Sequence, residues 1–183
     1  MDTDVILSDY AVLKVPQQDY PRLDKTYILG QRQEPFGCLC LTNQKQFYME
    51  NYPGMFVIVD VKREKGIHIL SIRPNNTNPV ETTYLTTEEE NRAIGNVGAD
   101  GLLIIGCTTF NGLAAYDGQC PSCLANSTSR QFPLSFEAHG QAVSCSTCHR
   151  RYELNYSGTS SDGTRLIEYR VWIEGAFLRV TNG

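Results

Sequence analysis

Apolar positions along this chain fall into short runs with strand spacing rather than into long helical stripes. Met55-Phe56-Val57-Ile58-Val59-Asp60-Val61 is a β-branched run opened by Pro53-Gly54 and closed by charged residues, which predicts a strand. Ile67-His68-Ile69-Leu70-Ser71-Ile72 is a second, stopped by Pro74 and Asn75-Asn76. Leu102-Leu103-Ile104-Ile105-Gly106-Cys107 is a third. Asn111-Gly112 then offers hairpin turn chemistry, because both residues tolerate positive φ, and Leu113-Ala114-Ala115-Tyr116 returns. Leu134 to Glu137 and Ala142 to Ser144 flank Ala138-His139-Gly140-Gln141, a hairpin with glycine at the tight position. Arg151-Tyr152-Glu153-Leu154 alternates. A last hairpin runs from Ile167–Ile173 through Glu174-Gly175 to Ala176–Val180.

One short helix is predicted at Thr87 to Ile94, where Thr86 and Glu89 have capping-box spacing and Gly95 supplies a stop. Residues 1–50 carry no sustained period. Pro16, Pro21 and Pro35 break it, and Phe36-Gly37-Cys38-Leu39-Cys40-Leu41 is the clearest apolar run there. The expected organisation is an N-terminal extension over 1–50 that packs on a body at 51–183. Strands at regular spacing with little helix predict an all-β body, an antiparallel sandwich or barrel.

Length and composition narrow the function classes. The chain has 183 residues, 41% apolar and 20% charged, enough for one domain with a real core. A net charge of −4 and a pI near 5.4 argue against nucleic acid, whose phosphates need clustered Lys and Arg. Arg150-Arg151 is the basic cluster nearest the cysteine pairs, and two arginines read first as solvated charges. No stretch reaches the roughly 18 apolar residues of a membrane span. Met1 to Leu7 lacks the basic and apolar regions of a signal peptide, so the expectation is an intracellular chain or one whose leader has been removed.

The candidate chemistry lies in two cysteine pairs, Cys120-Pro121-Ser122-Cys123 and, 21 residues later, Cys145-Ser146-Thr147-Cys148. A C-x-x-C pair puts two thiolates on one side of a tight turn, and two such turns make a tetrahedral four-sulfur cage. Such a cage suits one Zn²⁺, a single iron, or a 2Fe–2S cluster. A stapling metal with no further role, or two disulfides in an oxidising compartment, are the plainer readings. Cys145 to His149 also spells the C-x-x-C-H haem attachment motif, which would leave Cys120 and Cys123 idle in hairpin-like surroundings.

The remaining candidates read as structural. Cys38 and Cys40 share a strand face and pack as small apolar groups, and Cys107 ends an apolar strand. His68 and His139 have no visible partner in the sequence. Trp172 and the tyrosines at strand spacing are core or surface aromatics before they are a binding platform. Cys148 with His149 makes a poor nucleophilic pair, since strand neighbours point opposite ways. No acid–base set or phosphate-cradling glycine loop is visible, so no enzyme is expected.

From Leu102 to Val180 the chain resembles the Rieske domain. That family's first metal loop follows a strand reading roughly Ala-Tyr-Asp-Gly and opens with Cys-Pro, here Ala115-Tyr116-Asp117-Gly118-Gln119-Cys120-Pro121. Its second loop reads Cys-x-x-His-Gly-x-x-Phe, here Cys145 to Tyr152. Gly158, Leu166, Tyr169, Val171, Ile173, Gly175, Leu178 and Val180 fill the places of the glycine stretch and final hairpin. The resemblance implies a Rieske-like sandwich over 51–183 with a zinc-ribbon-like subdomain formed by metal loops at 118–124 and 144–150. It also implies kinship with small bacterial Rieske-like proteins, often cell-envelope lipoproteins.

The departures decide the chemistry. A Rieske centre takes one His from each loop. Here Ser122 stands at the first His position and Cys148 at the second, while His149 takes the glycine place. Only His68, His139 and His149 exist, so two loop imidazoles cannot be assembled. The expectation is therefore a Rieske-like scaffold with Cys120, Cys123, Cys145 and Cys148 as metal ligands and His149 and Arg150 beside them. Zn²⁺ is first choice and an all-Cys iron or 2Fe–2S centre second, the latter implying a redox partner protein. A disulfide-braced domain without metal is third.

Overall fold

In a computed structural model, the described residues are 11–14, 39–41, 46–48, 54–76, 80–85, 98–174 and 177–181. The large sheet is antiparallel throughout, with strand order β1-β14-β13-β8-β7-β4-β5-β6. Its members are β1 (Ala11–Lys14), β4 (Phe56–Glu64), β5 (Ile67–Pro74), β6 (Glu81–Leu85), β7 (Leu102–Thr108), β8 (Gly112–Asp117), β13 (Glu168–Glu174) and β14 (Phe177–Thr181). A small sheet of order β12-β11-β10-β9 comprises β9 (Leu134–Phe136), β10 (Ala142–Cys145), β11 (Arg151–Glu153) and β12 (Thr159–Ser160). A separate hairpin joins β2 (Leu39–Leu41) to β3 (Gln46–Tyr48). A single helical turn, α1 (Pro121–Ala125), follows β8. The all-β expectation holds among the described residues.

The continuous apolar runs take the centre of the sheet. Every residue of β7 is buried, as are the first four of β4, and the two strands pair from Phe56↔Gly106 to Asp60↔Leu102. Gly106 is required there: a Cβ would lie 2.3 Å from the Met55 carbonyl oxygen. Lys65 and Gly66 turn β4 into β5 with φ of 49° and 83°, the double positive φ of a type I′ hairpin. The β7–β8 hairpin is longer than a two-residue turn. Gly112, at φ 75°, opens the returning strand, and Thr108 Oγ1 accepts the Asn111 N–H at 2.9 Å. β5 also runs through Pro74 rather than stopping before it.

Period-two alternation sorts the strands onto a shared core. Phe56 and Ile58 of β4, Leu102 and Ile104 of β7 and Tyr116 of β8 meet Leu134, Val143, Cys145 and Tyr152 of the small sheet in one buried cluster. Cys120 and Cys123 belong to that cluster. The small sheet thus packs on the large one, and the cysteine loops sit at their junction. From the N-terminal fifty residues, β1 adds an edge to the large sheet through Ala11↔Val180 to Lys14↔Phe177. The helix expected at Thr87 to Ile94, the Cys38 and Cys40 pair and the Trp172 side chain lie outside the described residues.

Candidate metal centre

The first loop is built by hydrogen bonds that leave β8. Gly118 N–H donates to the Leu102 carbonyl, Leu134 N–H to that of Gly118 and Cys120 N–H to that of Phe132, each at 2.8 Å. Gly118 has no room for a side chain, since a Cβ would meet Leu102 Cγ at 2.4 Å. Pro121 opens α1, where the missing N–H has no helical partner to lose. Leu124 N–H closes on the Cys120 carbonyl at 3.0 Å. One helical turn therefore carries Cys120 and Cys123 three residues apart on one side. The tight turn that the spacing predicts is, for the first pair, this helical turn.

The second loop is the β10–β11 turn. His149 N–H donates to the Cys145 carbonyl at 2.9 Å and Cys145 N–H to that of Arg150 at 3.0 Å. His149 holds φ 63°, a left-handed conformation uncommon for a residue with a Cβ. This corrects the strand-neighbour argument about Cys148 and His149: they lie in a turn, not in an extended strand.

The two loops bring all four sulfurs together. The Sγ atoms of Cys120, Cys123, Cys145 and Cys148 lie within 4.8 Å of one another. Across the loops, Cys120 and Cys148 approach at 3.6 Å, and Cys123 and Cys145 at 3.7 Å. All four are free thiols, far outside the roughly 2.05 Å of a disulfide. Four cysteines so placed can hold a metal ion. Cys120, Cys123 and Cys145 are buried, while Cys148 is half-buried.

Donors and charge surround the cage unevenly. The Tyr152 hydroxyl is fully buried, 3.3 Å from Cys120 Sγ and 3.3 Å from Ser122 Oγ. Burial pushes the thiols of Cys120 and Cys123 up and raises the Tyr152 phenol as well. Cys148 goes the other way. Desolvation, the largest influence, raises it, but the Arg150 backbone N–H and guanidinium, helped by the Cys120 and Cys123 thiols, bring it down to about 6. Arg150 is held by Asp162 at 2.9 Å. Four sulfurs this close ionise together only against a positive charge, which a bound cation would supply.

His149 is exposed at the tip beside Cys148, and Arg150 faces that sulfur. Tyr152 was not singled out from sequence as a site residue. The signal was the alternation of Arg151-Tyr152-Glu153, which turns Tyr152 inward toward the cage. His139 has neighbours the sequence did not reveal: Gln141 N–H donates to Nδ1 at 3.0 Å, and an Arg151 nitrogen lies 2.7 Å from Nε2. Cys107 is a buried thiol in the core whose Sγ donates to the Thr108 carbonyl at 3.7 Å. A cleft of about 520 Å³ opens between Arg73–Asn76 and Ser135–Ala138, lined by no cage sulfur.

Comparisons with protein-family models, with curated proteins and with solved structures find no match to this chain. Among the described residues, no helix is long and apolar enough to cross a membrane.

Proposed function

We propose that the protein is a non-catalytic metal-binding module in which Cys120, Cys123, Cys145 and Cys148 hold one Zn²⁺ that fixes the two loops against the β core. The observation that carries this reading is the spacing of the sulfurs. A tetrahedron with metal–sulfur bonds of about 2.3 Å has edges of about 3.8 Å, and the cross-loop pairs stand at 3.6 Å and 3.7 Å. A 2Fe–2S cluster interposes two bridging sulfides and spreads its cysteine pairs over two irons, which suits four sulfurs within 4.8 Å less well. The Rieske-like scaffold belongs to the same proposal. Its support is the order of parts: an Ala-Tyr-Asp-Gly strand, a Cys-Pro loop, a hairpin and a second cysteine loop.

A single iron in the same cage is the second reading. It is favoured by the half-buried Cys148, which gives electrons a short route to the surface, and by the Tyr152 hydroxyl against Cys120, since hydrogen bonds to ligand sulfurs tune reduction potentials.

Elemental analysis of the purified full-length chain decides between them. The expected result is one zinc per chain, a colourless protein, and loss of at least about a hundredfold in zinc affinity on Cys123→Ser or Cys145→Ser. Cobalt substitution should give the intense ligand-field bands of a tetrahedral tetrathiolate. One iron per chain selects the second reading. Two irons with two acid-labile sulfides, or no metal at all, overturn both.

A further inference from the structure

We propose that Cys148 is an oxidative modification site: a hydroperoxide reacts there first, and the resulting sulfenic acid is captured by Cys120 across the loops, expelling the metal. This rests on the tetrathiolate reading above. In a loaded cage all four sulfurs are thiolates, so ionisation does not rank them and access does. Cys120, Cys123 and Cys145 are 0%, 8% and 2% exposed, whereas Cys148 is half-buried on the turn whose tip residues Ser146, Thr147 and His149 are exposed. The oxidant therefore meets Cys148, on the exposed turn, before the enclosed sulfurs of Cys120 and Cys145.

The partner follows from distance. Cys120 Sγ stands 3.6 Å from Cys148 Sγ. A disulfide of about 2.05 Å needs only a modest approach of two loops that already share a core. C-x-x-C spacing by itself would favour the pair Cys145–Cys148. The fold also sets a sulfur of the other loop against Cys148, at 3.6 Å. Cys123 and Cys145, at 3.7 Å, are placed for a second bond of the same kind. Oxidation would then exchange a metal staple for a covalent one without releasing the small sheet.

The chemistry balances with a hydroperoxide as the oxidant. The Cys148 thiolate attacks one peroxide oxygen, the O–O bond breaks, and the departing hydroxide takes a proton to leave as water. The Cys120 thiolate attacks the sulfenic sulfur, the S–S bond forms, the S–O bond breaks, and a second hydroxide leaves as water. Two thiolates are oxidised by two electrons, hydrogen peroxide is reduced to two waters, and two protons are consumed. A metal left with two thiolates dissociates as the aqueous ion.

The test uses the zinc-loaded full-length chain with limiting hydrogen peroxide. Zinc release is followed with a chromogenic chelator, and cage disulfides are mapped by mass spectrometry without reduction. The proposal expects the Cys120–Cys148 cross-link to appear first among the four cage sulfurs, in step with zinc release. In Cys120→Ser, a sulfenic acid should persist on Cys148 and be trapped by dimedone. A first bond within either C-x-x-C pair, or first modification at Cys123 or Cys145, overturns it. Metal content is measured beforehand: a chain that carries no metal sinks the tetrathiolate reading, while the order of oxidation is still read on the reduced chain. The two failures are thus distinguishable.

Discussion

At the scale of single residues, Tyr152 is where packing and site chemistry meet. Its ring fills the core between the sheets, and its hydroxyl sits against Cys120 and Ser122. The ring alone satisfies the packing, so Tyr152→Phe should fold and keep its thermal transition within a few degrees. It removes the donor beside a ligand sulfur, and partners of that kind are worth about 10–100-fold in metal affinity. Zinc competition with a chelator should show a loss near the lower end, about tenfold, because Cys120 keeps its place on α1. An unchanged affinity would assign the hydroxyl to Ser122 alone. His149 shows the opposite relation. Its left-handed backbone serves the turn while its side chain is exposed.

At the scale of elements, the β9–β10 hairpin puts Leu134, Val143 and Cys145 into the core around the cage, and it is fastened to the large sheet by polar contacts. Asn75 Nδ2 donates to the carbonyls of Gly54 at 2.8 Å and Gly140 at 2.7 Å. Gln141 Nε2 adds a bond to the same Gly54 carbonyl at 3.0 Å. The approach is close enough that a Cβ on Gly140 would lie 2.3 Å from the Asn75 carbonyl oxygen. Asn75→Asp replaces the donor with a second acceptor facing two carbonyls. It should lower unfolding stability by about 1–3 kcal/mol, read as a lower denaturant midpoint with an unchanged slope. The hairpin was visible in sequence because Gly140 interrupts two apolar runs. Its fastening was not, since Gly54, Asn75 and Gly140 are remote from one another along the chain.

At the scale of the molecule, Asp117 ties the pieces together. It is fully buried at the end of β8, where it accepts the Tyr169 hydroxyl at 2.6 Å and the N–H groups of Ala99 and Gln119 at 2.8 Å each. Desolvation raises its pKa above the ordinary 3.8; the Tyr169, Gln119 and Ala99 hydrogen bonds and the Arg130 charge oppose this without cancelling it. The sign follows from proton counting. Between 3.8 and the raised value, the folded chain holds a proton that the unfolded chain has released, so stability falls as pH rises through that window. Above it the contribution is constant. Denaturant midpoints against pH should show this slope in the wild type and not in Asp117→Asn, with metal-linked protons cancelling in the difference.

Local features were legible along the chain: strand runs, their alternation, the hairpin glycines, and two cysteine pairs each able to present sulfurs on one side of a turn. These follow from nearest-neighbour backbone preferences and the period of two, which need no knowledge of the rest of the chain. Relations between distant residues came from the folded chain. It placed one pair on a helical turn and the other in a β turn. It also set Cys120 opposite Cys148 and Cys123 opposite Cys145, and aimed Tyr152 and Arg150 at particular sulfurs. The reason is that sheet order and inter-sheet packing are fixed by burying the whole apolar surface at once. Which distant residues become neighbours is a property of that global solution, not of any window along the chain.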